Sequence, residues 1–129
     1  MTKNKILKVV LTVVSSVILI AAIAFSQSEG PSNLQAMANG NSVSLTWSAP
    51  SSGAVTSYNI YKATSSDAVD SSKYSSLDFT KVNSSTTTTF QDSLASGSSG
   101  TIVYYVTAVG NDGTESSPSN YAKVTLGGQ

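Results

Sequence analysis

The sequence predicts an all-β fold, a seven-strand sandwich of two sheets, preceded by one N-terminal hydrophobic helix. Three observations carry that expectation. An apolar run at 9–25 follows a lysine-bearing start, apolar and polar side chains alternate after Pro31, and clusters of Gly, Ser, Asn and Pro interrupt the alternation at short intervals. A chain of 129 residues has room for one domain with a real core.

The first element is the hydrophobic segment. Lys3, Lys5 and Lys8 precede the run 9–25, which is broken only by Thr12, Ser15 and Ser16. A basic start, an apolar middle and a small-residue exit form a secretory signal pattern. Cleavage fits after Ala22-Ile23-Ala24 or after Ala24-Phe25-Ser26. The run also exceeds the roughly 7–15 residues of an ordinary signal core, so a retained anchor crossing the membrane through 6–25 is the other reading. The lysine end stays in the cytoplasm either way, and the remainder is expected outside it, secreted or held at the cell surface. The organisation is then a signal peptide or signal anchor at 1–26, a short linker at 27–30, a β domain at 31–126 and a tail at 127–129. Residues 26–30 span at most about 20 Å, so a retained anchor would keep the domain close to the bilayer.

The strands follow from alternation. Leu34 and Ala36 begin the first, and Val43, Leu45 and Trp47 give the second one clean apolar face against Ser42, Ser44 and Thr46. The segment 48–53 stops it. Tyr58 and Ile60 share one face of the third strand, with Asn59 and Tyr61 on the other. A polar loop is expected at 65–74, then short strands at 77–82 and 87–91. The longest alternation sets Ile102, Tyr104, Val106 and Ala108 against Val103, Tyr105, Thr107 and Val109. Asn111-Asp112-Gly113 is a hairpin-type turn, and a last strand is expected at 121–126. Trp47, Tyr58, Phe90 and Tyr104 fall in inward register and are expected in the core.

Several segments together resemble the fibronectin type III domain. Pro31-Ser32-Asn33-Leu34 and Val43-x-Leu45-x-Trp47-x-x-Pro50 are similar to its first two strands, and 58–62 to its third. Phe90-x-Asp92-x-Leu94 is similar to its fifth strand and the turn beyond. Val106-Thr107-Ala108-Val109, Gly113 and Glu115-Ser116-x-Pro118-Ser119 resemble its sixth strand and the loop into the seventh. The resemblance implies an immunoglobulin-like sandwich from Pro31 to Leu126. It also marks a departure: where the family usually starts its sixth strand with a Tyr that ties down the preceding turn, this chain has Ile102, with Tyr104 two residues later. The corner hydrogen bond is expected to be missing, at a loss of about 1 kcal/mol, and the loop 93–100 to be looser. Some family members bind integrins through Arg-Gly-Asp in the loop 110–116, but this chain has Asn111-Asp112-Gly113 there and no Arg, so that role does not carry over.

Composition narrows function. With no His and no Cys, Ser-His-Asp triads, thiolate nucleophiles and Cys/His zinc sites are impossible. All seven cationic side chains are Lys, and past the hydrophobic run four lysines face seven carboxylates, a balance of −3. Such a domain lacks the basic stripe that nucleic acid demands, so no nucleic-acid partner is expected. Asp67, Asp70, Asp78, Asp92, Asp112 and Glu115 are scattered and read as solvated loop acids, with Asp112 serving its turn. No cofactor and no metal are expected. Tyr61, Val103, Tyr105 and Val109 point away from the core on strands that the resemblance makes neighbours, so they form the candidate binding face. The competing reading is that cross-strand aromatics only stabilise the sheet. Asn83-Ser84-Ser85 is a glycosylation pattern placed on an expected loop.

The sequence thus points to a non-enzymatic extracytoplasmic binding, adhesion or spacer module, with an unidentified protein or carbohydrate surface ligand. The alternative is a structural subunit of a surface filament or layer, in which a hydrophobic helix and a β head self-assemble. Against it, no prepilin-type processing pattern precedes Val9 and no glutamate sits early in the run.

Overall fold

The computed structural model describes residues 29–127. The expected signal or anchor helix, the first half of the linker and the last two residues lie outside the described residues. Seven strands form, all paired antiparallel: β1 (Ser32–Asn39), β2 (Ser42–Ser48), β3 (Val55–Ser65), β4 (Thr80–Ser85), β5 (Thr89–Ser93), β6 (Gly100–Gly110) and β7 (Ala122–Leu126). One sheet has the order β1-β2-β5 and the other β4-β3-β6-β7. The expected strand at 77–82 begins three residues later, because 77–79 finish a connection that holds a short 3-10 helix, Ser71–Ser76.

The two sheets close on the side chains that alternation sends inward. Leu34, Val43, Leu45, Trp47, Tyr58, Ile60, Ile102, Tyr104, Val106, Ala108 and Val124 make one buried cluster. Trp47 meets Tyr58 edge-on, with ring centroids 5.4 Å apart, a geometry that sets the positive rim of one ring against the negative face of the other. The indole N–H of Trp47 is buried without an acceptor.

A polar clamp crosses this core. Lys62 and Tyr104 are directly opposed on β3 and β6, and both reach Asp92 on β5 in the other sheet. The Lys62 ammonium lies 3.0 Å from Asp92 Oδ2, and the Tyr104 hydroxyl donates to the same oxygen at 2.7 Å. Asp92 is 8% exposed and Tyr104 fully buried, so Asp92 is no solvated loop acid, contrary to the sequence expectation. Burial first, and the Asp92 carboxylate second, push the Tyr104 phenol far above its usual range, which keeps it a neutral donor. Ile102 does occupy the position of the missing corner tyrosine; the hydroxyl two residues on bonds a side chain of the facing sheet instead. At the start of the preceding loop 93–100, Leu94 N–H donates to Asn41 O at 2.6 Å.

The Ser-Pro-Ser segment after the β6 turn has a structural use. Gly113, at φ 86°, completes the turn at 110–113, where Asp112 Oδ1 accepts from the backbone and hydroxyl of Thr114. Ser116 and Ser119 then each donate a backbone N–H to a β6 carbonyl (Ala108 and Val106) and accept from the N–H of that same residue through Oγ. Two serines thereby continue the ladder where no regular strand runs. Asn120 carries the join to the other sheet: its side chain accepts from Leu34 N–H at 2.9 Å and donates to Leu34 O at 3.1 Å.

Candidate functional site

The outer face of the four-strand sheet is the most unusual surface of the described residues. On β6, the outward side chains are Thr101, Val103, Tyr105, Thr107 and Val109, and alternation alone predicts that water meets all of them. Three of the five are buried instead. Thr107 is capped by Glu115, to which its hydroxyl donates, and the connection 66–79, which leaves β3, brings Phe79 against Tyr105 (4.8 Å between centroids, edge-on) and Tyr121 (5.7 Å). Tyr74 of the 3-10 helix also packs edge-on against Tyr121 at 5.6 Å.

Val103 is therefore removed from the candidate face. It is 1% exposed, paired across the sheet with Ala63 at 3%, and both stand outside the inter-sheet cluster. They form a second, smaller core on the opposite side of the sheet. The other three candidates are half-buried. Tyr61 and Tyr105, directly opposed on β3 and β6, stack with centroids 4.7 Å apart and planes 14° from parallel. Val109 lies two pairs further along the same face, beside the β6 turn.

The sequence reading missed three rings. Tyr121, Phe79 and Tyr74 join Tyr61 and Tyr105 in a continuous aromatic row, all half-buried. A signal for Tyr121 was present: Ala122, Val124 and Leu126 pack inward, which sends Tyr121, Lys123 and Thr125 out. Nothing local could have brought Tyr74 and Phe79 onto the sheet.

One carboxylate organises the edge of the row. Glu115 Oε2 accepts from the Tyr61 hydroxyl at 2.7 Å and from Thr107 Oγ1 at 2.5 Å. Burial draws the Glu115 pKa upward, but donation by Thr107, Tyr61 and Asn59 and the charge of Lys81 outweigh it, leaving the carboxyl below its ordinary value. Tyr61 responds in the opposite sense: burial, then the Glu115 hydrogen bond, push its phenol up to about 12. At neutral pH the pair is carboxylate and phenol. Among the described residues, no three His, Cys, Asp or Glu side chains gather closely enough to hold a metal ion. Asn83 sits on β4, paired with Ile60, and not on the expected loop; β4 is an edge strand, which leaves its side chain exposed.

Two antiparallel sheets in the orders described, joined across Trp47 and Tyr58, define an immunoglobulin-like β-sandwich module. The fibronectin type III domain profile matches residues 29–125, and the chain belongs to that family. Its domains are generally non-catalytic and often serve as binding or spacer modules. No curated protein sequence matches the chain. Among solved structures, an Fn3-like protein from Clostridium thermocellum is similar at 28% identity and TM-score 0.59, over 81% of this chain and 98% of that one. A β-1,2-glucanase from Parabacteroides distasonis (20% identity, TM-score 0.60) is matched over 78% of this chain but 13% of its own length. A pectate lyase from Pectobacterium carotovorum (22%, 0.55) is matched over 77% of this chain and 27% of its own. The two enzymes share the fold over a minor part of their chains.

Proposed function

We propose that this chain is a non-enzymatic extracytoplasmic binding module, secreted or anchored by its N-terminal segment, whose partner docks on the outer face of the four-strand sheet. The observation that carries the reading is the Tyr61–Tyr105 stack, extended by Phe79, Tyr121 and Tyr74 into one row of partly exposed rings. Large, stiff side chains of this kind supply contact area at low entropic loss. Phe79, Tyr121 and Tyr74 lie outside the Tyr61–Tyr105 cross-strand pair, whose support of the sheet is the competing reading. Export rests on the basic start and the apolar run at 9–25.

The test has two arms. Fractionation of producing cells, with intact mass of the recovered protein, reports export and cleavage; a cytoplasmic, full-length pool would end the extracytoplasmic reading. Surface cross-linking and pull-down then recover partners, and Tyr61→Ala with Tyr105→Ala should weaken their binding at least about tenfold while the sandwich stays folded by circular dichroism. Unchanged affinity removes the face from the function.

A further inference from the structure

Peptide chemistry singles out the turn between β1 and β2. Of all the asparagines in the chain, only Asn39 is followed by glycine. An asparagine side chain can close on the backbone nitrogen of the next residue, and a Cβ on that residue hinders the approach. Gly40 has none, and no atom beyond its chain neighbours lies within 4 Å of the place a Cβ would take. Both residues are exposed, and the side-chain amide of Asn39 makes no hydrogen bond among the described residues. Gly40, at φ 62°, also lets the peptide between them swing more freely than a bulkier residue would.

Two neighbouring strands supply activation. Asn39 pairs with Ser42 to close the two-residue turn, and Ser42 Oγ donates to Asn39 O at 3.1 Å. Gln91 Nε2, on β5, donates in turn to Ser42 Oγ at 3.0 Å. The Asn39 carbonyl belongs to the same peptide unit as the Gly40 N–H, which is tied to no backbone carbonyl. Drawing electron density toward that oxygen makes the N–H more acidic, and the deprotonated nitrogen is the nucleophile. Consecutive hydrogen bonds polarise one another, so the relay from Gln91 strengthens the pull.

Asp112-Gly113 is the other place where such a ring could form, and there both reacting groups are held. Asp112 Oδ1 accepts from the N–H and Oγ1 of Thr114 at 3.1 and 2.7 Å, and Gly113 N–H donates to Gly110 O at 3.0 Å. The two dipeptides look alike in the sequence; hydrogen bonding separates them.

We propose that Asn39–Gly40 is a self-modifying site, which slowly converts the folded domain to aspartyl and isoaspartyl forms at that position. Gly40 N attacks Asn39 Cγ, and the new C–N bond closes a succinimide. The Cγ–Nδ2 bond breaks, and ammonia leaves with the proton that Gly40 N gave up. Water then opens the ring at either carbonyl. Opening at the Asn39 backbone carbonyl leaves an isoaspartyl link, in which the main chain runs through the side chain and is longer by one methylene. Opening at the other carbonyl leaves an ordinary aspartyl residue. Water is the only co-reactant. Both products add a negative charge to an already acidic domain, and the isoaspartyl form disrupts the closing pair with Ser42, loosening β1 against β2.

The test incubates the protein purified from producing cells at mildly alkaline pH, folded and in parallel in urea, and follows it by peptide mapping with mass spectrometry. In the folded protein the peptide holding residues 39–40 should exchange its amide for an acid before any other asparagine does. Aspartyl and isoaspartyl products should both be present, and Asp112 should keep its ordinary linkage. Ser42→Ala should slow the folded reaction about three- to tenfold, the effect of one hydrogen bond, and leave the rate in urea unchanged. Gln91→Ala, at an exposed position, should slow the folded reaction in the same sense. Conversion confined to urea, earlier conversion at another asparagine or at Asp112, or an aspartyl product with no isoaspartyl overturns the proposal. So do equal folded rates for wild type and Ser42→Ala.

Discussion

Tyr104→Phe removes a single hydroxyl from the centre of the sandwich, and the clamp on Asp92 sets what that should do. The ring stays, so no apolar packing is lost. The bond removed is a 2.7 Å donation to a carboxylate by a fully buried residue. Hydrogen bonds to charged groups contribute about 1.5–3 kcal/mol. Asp92 retains Lys62 at 3.0 Å and is not orphaned, which places the loss near about 2 kcal/mol. In a domain of this size, 1 kcal/mol moves the melting temperature by about 4–8 °C, so a fall of about 8–16 °C is expected. Asp92→Ala should be worse, at about 3–5 kcal/mol, because it strands a partly buried ammonium and a buried hydroxyl together. Trp47, the only tryptophan and 6% exposed, is a ready reporter for urea unfolding followed by fluorescence. The double variant Tyr104→Phe, Lys62→Met should depart from additivity by at least about 0.5 kcal/mol, since both donors share one oxygen. A Tyr104→Phe protein within about 0.5 kcal/mol of wild type would refute the clamp as a source of stability.

The remaining predictions concern separate parts of the molecule. Asn120→Asp places an acceptor against the carbonyl of Leu34 where a donor now sits, and should destabilise by about 1–3 kcal/mol in the same unfolding assay. Gly100→Ala puts a Cβ 2.4 Å from Ser65 O at a φ of 98°, so it should destabilise by at least about 1 kcal/mol and displace the adjoining β3 end, visible as shifted amide resonances of Ser65 and Thr101. Glu115, with its folded pKa depressed, stabilises the fold above its ordinary value of 4.5 and loses that contribution as pH falls through the lowered value; Glu115→Gln should flatten the acid limb of a stability–pH curve. Tyr61 has its folded pKa raised, so its contribution is complete below 10.0 and declines as pH rises toward about 12; Tyr61→Phe should delete a late component from an ultraviolet phenol titration.

The sandwich was legible because its information is local. Val43, Leu45 and Trp47 or Ile102, Tyr104 and Val106 declare an inward face within one strand, and the structure buries all six. The family's motif around 115–119 was legible as a pattern, but its work, two serines extending a ladder and a following asparagine bridging the sheets, depends on where β1 and β6 lie. Misreadings arose where a face is covered by something distant in the chain. Val103 has the same alternation signal as Tyr105, yet it is sealed while Tyr105 is half open with Phe79, from a distant connection, packed against it. Asp92 looked like any other acid near a turn. Its partners, Lys62 and Tyr104, are 30 and 12 residues away and converge only once the sheets face each other.

The two ends of the domain leave it at opposite poles. Glu29 is bonded to Ser51 beside the β2–β3 turn, whereas Leu126 pairs with Gly100 and Gly127 approaches Ser99 at the far end. A pull applied between the chain's ends would run lengthwise along β1 and β7. The bonds joining β1 to β2, and the Asn120 bridge to Leu34, would then be strained by sliding, all at once, and could not be unzipped one by one. A domain loaded from its two ends in this way resists extension best along its own long axis.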